Sequence, residues 1–386
     1  MSERATIYFD HNSTTPLCPE ARTAMLPFLE NMFGNPSSYH HLGRQARSAL
    51  QVARRAMADI FGCGPAEVVF TSGGTEANNL ALRGAAVALK DTGRHIITTA
   101  VEHHSVLKTA EVLSLEGFAV TVLPVDAQGV VDPRAVIDAL RTDTILVSVM
   151  LANNETGALQ PVEEIGRAVR QRGVLFHTDA VQGFGEVRLS AVFEYADMLT
   201  LAAHKVYGPR GAGALLVRRG TPLAPIMTGG YHEQGLRPGT ENMAAIAGFA
   251  AAAQQAQATL SSEVERILGL RDRFEKRLLK TIPSVSINSR GAGRVPNTSS
   301  VCFSGIESES VLLHLDLLGI CASAGSACTT GASEPSHVLR AMGLSNLQAQ
   351  SALRFSLGRS TTVGHVDTVS EALVGIIKKL RQLSSL

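Results

Sequence analysis

At 386 residues, 45% hydrophobic and 18% charged, the chain can bury a sizeable core and is expected to divide into two domains. A formal net charge of +1 supplies no global field for nucleic acid, no apolar run reaches transmembrane length, and Met1 to Thr6 lack the apolar core of a signal peptide. The expectation is therefore a soluble cytoplasmic protein that binds neither nucleic acid nor membrane directly. The five cysteines, Cys18, Cys63, Cys302, Cys321 and Cys328, are odd in number, scattered, and contain no C-x-x-C pair. That argues against a disulfide framework and a structural zinc site, and no metal is expected.

In chain order, Ile7-Tyr8-Phe9 reads as a short strand followed by a polar turn from Asp10 to Pro16. Pro19 to Leu29 reads as a helix, and a second helix from about Arg44 to Phe61 has apolar spacing through Ala49, Leu50, Val52, Ala53 and Met57. Glu67 to Thr71 is a β-branched strand that runs into Ser72-Gly73-Gly74, with a helix starting near Thr75. Free N–H groups and the dipole of such a helix start can receive a phosphate; the same pattern equally describes a capped helix after a strand. The segment lacks the Gly-Lys-Ser/Thr of a nucleotide loop and lacks G-x-G-x-x-G.

Strands then alternate with helices: Arg94–Thr99, Ala119–Leu123, Thr144–Met150, Val174–Phe176 and Met198–Ala203, with helices after His104, at Asp132–Leu140 and at Val162–Gln171. This alternation predicts an α/β large domain with a mostly parallel, doubly wound sheet. An Ala-rich helix covers 244–258. From about residue 260 the pattern changes to a charged amphipathic helix, Val264–Leu279, then short strands and helices with Gly-rich turns at Gly291 and Gly293. The expectation is a large domain over 14–259 and a smaller α+β domain over 260–386 together with 1–13.

Polar residues gather where the apolar strands stop. Lys205 follows the run Met198–Ala203 and His204, so it stands where a sheet opens into a crevice. A lysine there is costly to bury as a cation, which favours a nucleophilic amine able to form a Schiff base with a carbonyl cofactor. The plain alternative is a surface lysine after a strand. Asp179 follows another apolar strand, Gly73 to Thr75 offer the phosphate cup, Asn154 and Gln182 supply amides, and His103 and His204 supply imidazoles. Each is ordinary singly. Jointly they are the groups that a pyridoxal phosphate site requires: a carboxylate for the ring nitrogen, a plane to stack on the ring, amides for the phenolic oxygen, and an amine for the aldehyde.

The chain resembles the cysteine desulfurases of the NifS/IscS type, within the fold-type I pyridoxal phosphate enzymes. The resemblance covers nearly the full length and rests on Tyr8-Phe9-Asp10 with Thr14-Thr15, Gly34-Asn35-Pro36-Ser37-Ser38, Thr71-Ser72-Gly73-Gly74-Thr75-Glu76, Glu102-His103, Asn153-Asn154-Glu155-Thr156-Gly157, His177-Thr178-Asp179-Ala180-Val181-Gln182, His204-Lys205, Gly239-Thr240-Glu241-Asn242, Gly325-Ser326-Ala327-Cys328 and Arg354-Phe355-Ser356-Leu357-Gly358. It implies that Lys205 holds the cofactor aldehyde and moves the substrate Cα proton, that His103 stacks on the ring and assists proton transfer, and that Asp179 and Gln182 meet the ring nitrogen and the phenolic oxygen. Gly74, Thr75 and His204 would hold the phosphate, and Thr240 the phosphate of the other subunit of a homodimer. Arg354 and Asn154 would bind the substrate carboxylate, which suits a guanidinium fork.

Cys328 lies in a small, polar segment of about 322–333 that has little with which to pack a core, so it reads as a thiol on a loop, open to chemistry. The implied activity is removal of sulfur from L-cysteine, giving L-alanine and a persulfide on Cys328 that passes to an acceptor such as an iron–sulfur scaffold or a tRNA-thiolation protein. Two other readings share parts of the pattern. A selenocysteine lyase or another pyridoxal phosphate lyase or aminotransferase would use the same lysine. A non-catalytic sulfur-assembly scaffold is opposed by the intact Lys205, Asp179 and Cys328. The sequence departs from the family at Ala202, where many relatives have a phosphate-binding serine, at Tyr231 after Gly229-Gly230, and at His11 and Ser13.

Overall fold

The chain, described over residues 6–325 and 335–384 in a computed structural model, opens with β1 (Ile7–Tyr8) and then lays down β2 (Val68–Thr71), β3 (His95–Thr99), β4 (Ala119–Leu123), β5 (Thr144–Ser148), β6 (Leu175–Asp179), β7 (Met198–Ala202) and β8 (Gly213–Val217). The last seven form one sheet in the order β2-β8-β7-β6-β5-β3-β4. Strands β4, β3, β5, β6 and β7 run parallel, while β8 runs antiparallel to both its neighbours, β7 and β2. Six strands therefore point the same way and end at one edge. The mostly parallel α/β sheet predicted from the alternation is present.

Every residue of β3, β5, β7 and β8 is buried, which is why these strands read as nearly unbroken apolar runs. Side chains alternate between two cores, one on each face. Ile96, Leu146, Met198 and Leu215 face the layer that includes Leu80 and Ala85 of the helix Gly74–Leu89. Their neighbours Ile97, Val147, Leu199 and Leu216 face the layer that holds Met57, Phe61 and Phe249. Each such side chain contributes on the order of 1.5–3 kcal/mol of burial.

A second set of strands, β9 (Val285–Ile287), β10 (Thr298–Phe303), β12 (Ser323–Ala324) and β13 (Ala352–Ser356), forms an antiparallel sheet in the order β12-β13-β10-β9. Strand β1 pairs in parallel with β11 (Ile320–Cys321), and Asp10 bridges to Ser356 of β13. The aromatic centre of this part is Phe274, edge-on to Phe355 at 5.0 Å and to Phe9 at 6.0 Å between ring centroids.

Two details differ from the sequence-based expectation. Strand β8 has no counterpart in it, because Gly213-Ala-Leu-Leu-Val217 is short and takes its identity from pairing between β2 and β7. The Ala-rich and charged helices are one 39-residue helix, Met243–Thr281. The polar stretch between them breaks nothing: Thr259 Oγ1 donates to Gln255 O at 2.9 Å and Ser262 Oγ to Thr259 O at 3.0 Å, so the hydroxyls bond back onto their own helix. Its first half buries Ile246, Phe249 and Ala253 in the first core, and its second half buries Ile267, Leu270 and Phe274 in the other.

Gly213 lets β8 pass against the turn that precedes the helix Gly74–Leu89. A Cβ there would stand 2.6 Å from the carbonyl carbon of Gly73 and 2.7 Å from Leu201 O. Gly213→Ala is expected to cost about 1–3 kcal/mol by overpacking and to displace the Gly73 turn. Thermal unfolding measures this, and an unchanged Tm would rule the close approach out.

Candidate active site

At the edge where the six parallel strands end lies a cavity of about 240 Å³. Its wall takes Gly74, Thr75 and Asn78 from the helix after β2, His103 and Ser105 from the segment after β3, Met150, Ala152 and Asn154 after β5, and Asp179, Val181 and Gln182 at the end of β6. Ala202, His204 and Lys205 come from the end of β7, Asn12 and Ser13 from the turn after β1, and Arg354 from β13. Of the residues singled out from sequence, Lys205, His103, Gly74, Thr75, Asn154, Asp179, Gln182, His204 and Arg354 all meet here. Thr240 does not; it is exposed and lines no part of this cavity. Cys328 lies outside the described residues.

Lys205 closes the short 3₁₀ turn Ala203–Lys205 that follows β7. It is half-buried, and its Nζ donates to the carbonyl oxygens of Asn12 and, at 2.8 Å, Ser13. Gln182 Nε2 donates to the same Asn12 oxygen at 3.0 Å. His204 Nδ1 lies 3.2 Å from Thr14 Oγ1, and burial, followed by the charges of Lys205 and Arg210, holds its pKa down at about 4. It is therefore a neutral ring at physiological pH.

The helix Gly74–Leu89 begins after Gly73, which has no side chain to cap it. The first-turn N–H groups are left to face the cavity, and the helix dipole favours an anion there. Gly74 lies close under Val181, whose Cγ2 a Cβ would meet at 2.9 Å. Asp179 is buried. Its Oδ1 accepts from Val181 N–H at 3.0 Å and its Oδ2 from Asn78 Nδ2 at 2.7 Å. Both donors are neutral, and Asp179 has no ion-pair partner among the described residues.

Arg354 is buried in β13. Its Nη2 pairs with Asp10 Oδ1 at 2.8 Å, its Nη1 donates to Asn154 O at 3.0 Å, and its Nε is buried without a partner among the described residues. The guanidinium is thus already oriented, with an unspent donor. Asp10, Asn12, Asn78 and Ser105 are the residues that sequence reasoning missed. Asn78 lies one helical turn from Gly74 and Thr75, so it shares their face; that spacing was the available signal. Asp10 stood in a motif of the resemblance but without a role, since its partner Arg354 is more than three hundred residues away.

Two fully buried acids frame the cavity. Glu102, next to His103, has its pKa pushed up to about 8 by burial, although Thr99 Oγ1 at 2.7 Å and Met150 N–H at 2.9 Å donate to its Oε1. Glu155, next to Asn154, is pushed up to about 7 by burial and accepts from Ser336 Oγ.

The chain is similar to known proteins along almost its whole length. The family model described as aminotransferase class-V matches residues 7–369. A cysteine desulfurase IscS of Dictyoglomus turgidum is 45% identical over 378 residues, covering 98% of this chain and 96% of that protein. One of Methanosarcina thermophila is 44% identical over 385 residues, 100% of this chain and 95% of the relative. Among solved structures, a NifS-like protein superposes with a TM-score of 0.92 at 36% identity, covering 97% of this chain and all of that one. A structure described as SspA in complex with cysteine superposes with a TM-score of 0.80 at 36% identity, over 91% of this chain and 99% of the other.

The raised pKa of Glu102 has a consequence for stability. Between the ordinary carboxyl value of 4.5 and about 8 the folded chain binds more protons than the unfolded one, so stability falls as pH rises through that window. Glu102→Gln should flatten this fall. Melting temperatures of both proteins at the two ends of the window measure it, and equal slopes would exclude the effect.

Proposed function

The chain belongs to the aminotransferase class-V family and, within it, to the cysteine desulfurases, which depend on pyridoxal phosphate; from this we propose that the cavity at the strand ends is where L-cysteine loses its sulfur. The observation that carries the reading is the convergence of an amine, a carboxylate held by neutral donors and an uncapped helix start in one cavity: Lys205, Asp179 and Gly74-Thr75.

These residues fit the cofactor. The N–H groups of Gly74 and Thr75 and the neutral ring of His204 would hold the phosphate. Asp179 would take the ring nitrogen, because neither of its own partners is cationic, and Gln182 the phenolic oxygen. Ala202 lines the wall without a hydroxyl, so the phosphate would rest more heavily on the helix start. Thr240, exposed on its own subunit, would reach the phosphate of the partner in a homodimer. When bound, pyridoxal phosphate supplies an aldehyde for an amine and a ring that withdraws electrons from the carbon next to it.

The chain's own residues divide the remaining work. Arg354, fixed by Asp10 and the Asn154 carbonyl, receives the substrate carboxylate together with the Asn154 side chain. Lys205 Nζ takes the proton from the substrate Cα. The thiolate of Cys328 attacks the substrate sulfur: the S–S bond forms, the Cβ–S bond breaks, and its electron pair stays with carbon, which is then protonated. L-Cysteine and one thiol become L-alanine and one persulfide, so carbon is reduced and the thiol oxidised with no further reactant. The choice of thiol is supported by the other four. Burial pushes the pKa of Cys18, Cys302 and Cys321 up, and that of Cys63 up to about 12, and raised thiols are poor nucleophiles. The persulfide would pass to a protein acceptor, an iron–sulfur scaffold or a tRNA-thiolation protein, in the cytoplasm. Among the described residues no helix is long and apolar enough to cross a membrane.

With L-cysteine and a reductant, the purified holoenzyme is expected to release alanine and sulfide in equal amounts. Cys328→Ala should keep the cofactor absorbance and lose sulfide release by at least about a hundredfold, the scale of removing a covalent nucleophile; retained activity would move the sulfur to another thiol. Borohydride should fix the chromophore to the peptide that carries Lys205, and fixation elsewhere or nowhere would sink the assignment of the amine.

A further inference from the structure

The cavity wall contains two polar residues, Asn78 and Ser105, that the roles above leave unused. Asn78 Nδ2 donates to Asp179 Oδ2 at 2.7 Å and to Ser105 Oγ at 2.8 Å. Ser105 Oγ lies 2.8 Å from His103 Nδ1, and the backbone N–H of Ser105 donates to the same nitrogen at 3.1 Å. Asn78 and Ser105 are both buried.

The proton positions follow from the ends of the chain. A carboxylate only accepts, so Asn78 must turn its NH₂ toward Asp179. Its second hydrogen goes to Ser105, and its Oδ1 stays buried without a partner among the described residues. The opposite orientation would set two acceptors against each other at 2.7 Å, which is why the orphaned oxygen is tolerated. Ser105 Oγ, having accepted from Asn78, has its own proton to give, and His103 Nδ1 is the acceptor within reach. Nδ1 then receives the hydroxyl and the backbone N–H together, and two donors leave no place for a proton on it. The charged groups around the ring are Asp179, whose charge favours the imidazolium, and Lys205, which opposes it, with His104 opposing it as well. His337, whose ring lies 4.7 Å from that of His104 between centroids, completes the surroundings. Burial is the largest influence and disfavours the charged ring.

We infer that Asn78 and Ser105 are positioning residues that hold His103 as the neutral tautomer with its proton on Nε2. The ring faces the cavity as a hydrogen-bond donor and not as a base. This rests on the reading of the cavity as the desulfurase site and sharpens it: a donor at this place favours negative charge on the substrate sulfur or carboxylate, and removal of the Cα proton stays with Lys205. The resemblance gives His103 a share in proton transfer; its partners in this chain leave it none in this state.

The test reads the ring directly. Holoenzyme labelled with ¹⁵N-histidine, with the His103 signals identified by their loss in His103→Gln, is expected to show an unprotonated Nδ1 and a protonated Nε2 across the pH range of activity. Ser105→Ala removes one of the two donors and should raise the midpoint of His103 protonation by about one unit, the size of one hydrogen bond. Ser105→Thr, which restores the hydroxyl, should bring it back. A wild-type Nδ1 that carries the proton overturns the inference, and so does a Ser105→Ala midpoint equal to the wild-type one. If Ser105→Ala fails to fold, the wild-type spectrum decides alone. Failure of the desulfurase reading would show separately, as a Lys205 peptide that borohydride leaves unlabelled.

Discussion

The carbonyl oxygen of Asn12 receives both Lys205 Nζ and Gln182 Nε2. Asn12 belongs to the turn after β1, and β1 is paired with β11, outside the large sheet. Lys205 and Gln182 belong to the ends of β7 and β6 in the large sheet. One peptide group therefore ties the two cores together at the point where the chemistry is placed. The tie is reinforced on both sides: Asn12 Nδ2 donates to Thr298 Oγ1 at 2.8 Å, and Thr15 Oγ1 donates to His204 O at 2.9 Å. A site shared between two cores in this way is positioned only when both have folded, and its precision derives from rigid strands on each side.

Much of this was legible because strand ends carry local signals. The apolar runs into Asp179 and Lys205 are buried on both faces, and a polar residue at the end of such a run has few places to go but the sheet edge. The full set of parallel strands, and nine of the residues that line the cavity, followed from that reasoning together with the resemblance. What was not legible depends on distant partners. Strand β8 is defined by its pairing and by the space Gly213 leaves for Gly73. The joint between the two helical segments read as a change of pattern near residue 260, yet the hydroxyls of Thr259 and Ser262 are satisfied by the helix itself. Asp10 gains meaning only beside Arg354, and Ser105 only between Asn78 and His103.

The electrostatics of the cavity follow one pattern. Two acids beside residues of the cavity wall are buried, and burial pushes their pKa values up. Asp179 has neutral partners on both oxygens, whereas Glu102 and Glu155, one residue away from His103 and Asn154, have their pKa values raised by burial to about 8 and about 7. An ionised Glu102 would compete with Asp179 for any cation in the cavity. Burial prevents this at the expense of stability at high pH, a trade common at sites where function and folding make opposite demands.

The helix Met243–Thr281 gives the molecule a further property. Because its two halves are embedded in different hydrophobic layers, it acts as a spar across the whole body. Severing the backbone at residue 259, where the composition changes, would leave each fragment with half a spar and a bare greasy stripe. A cut there would therefore open both layers at once, and any shear between them falls on one continuous helix.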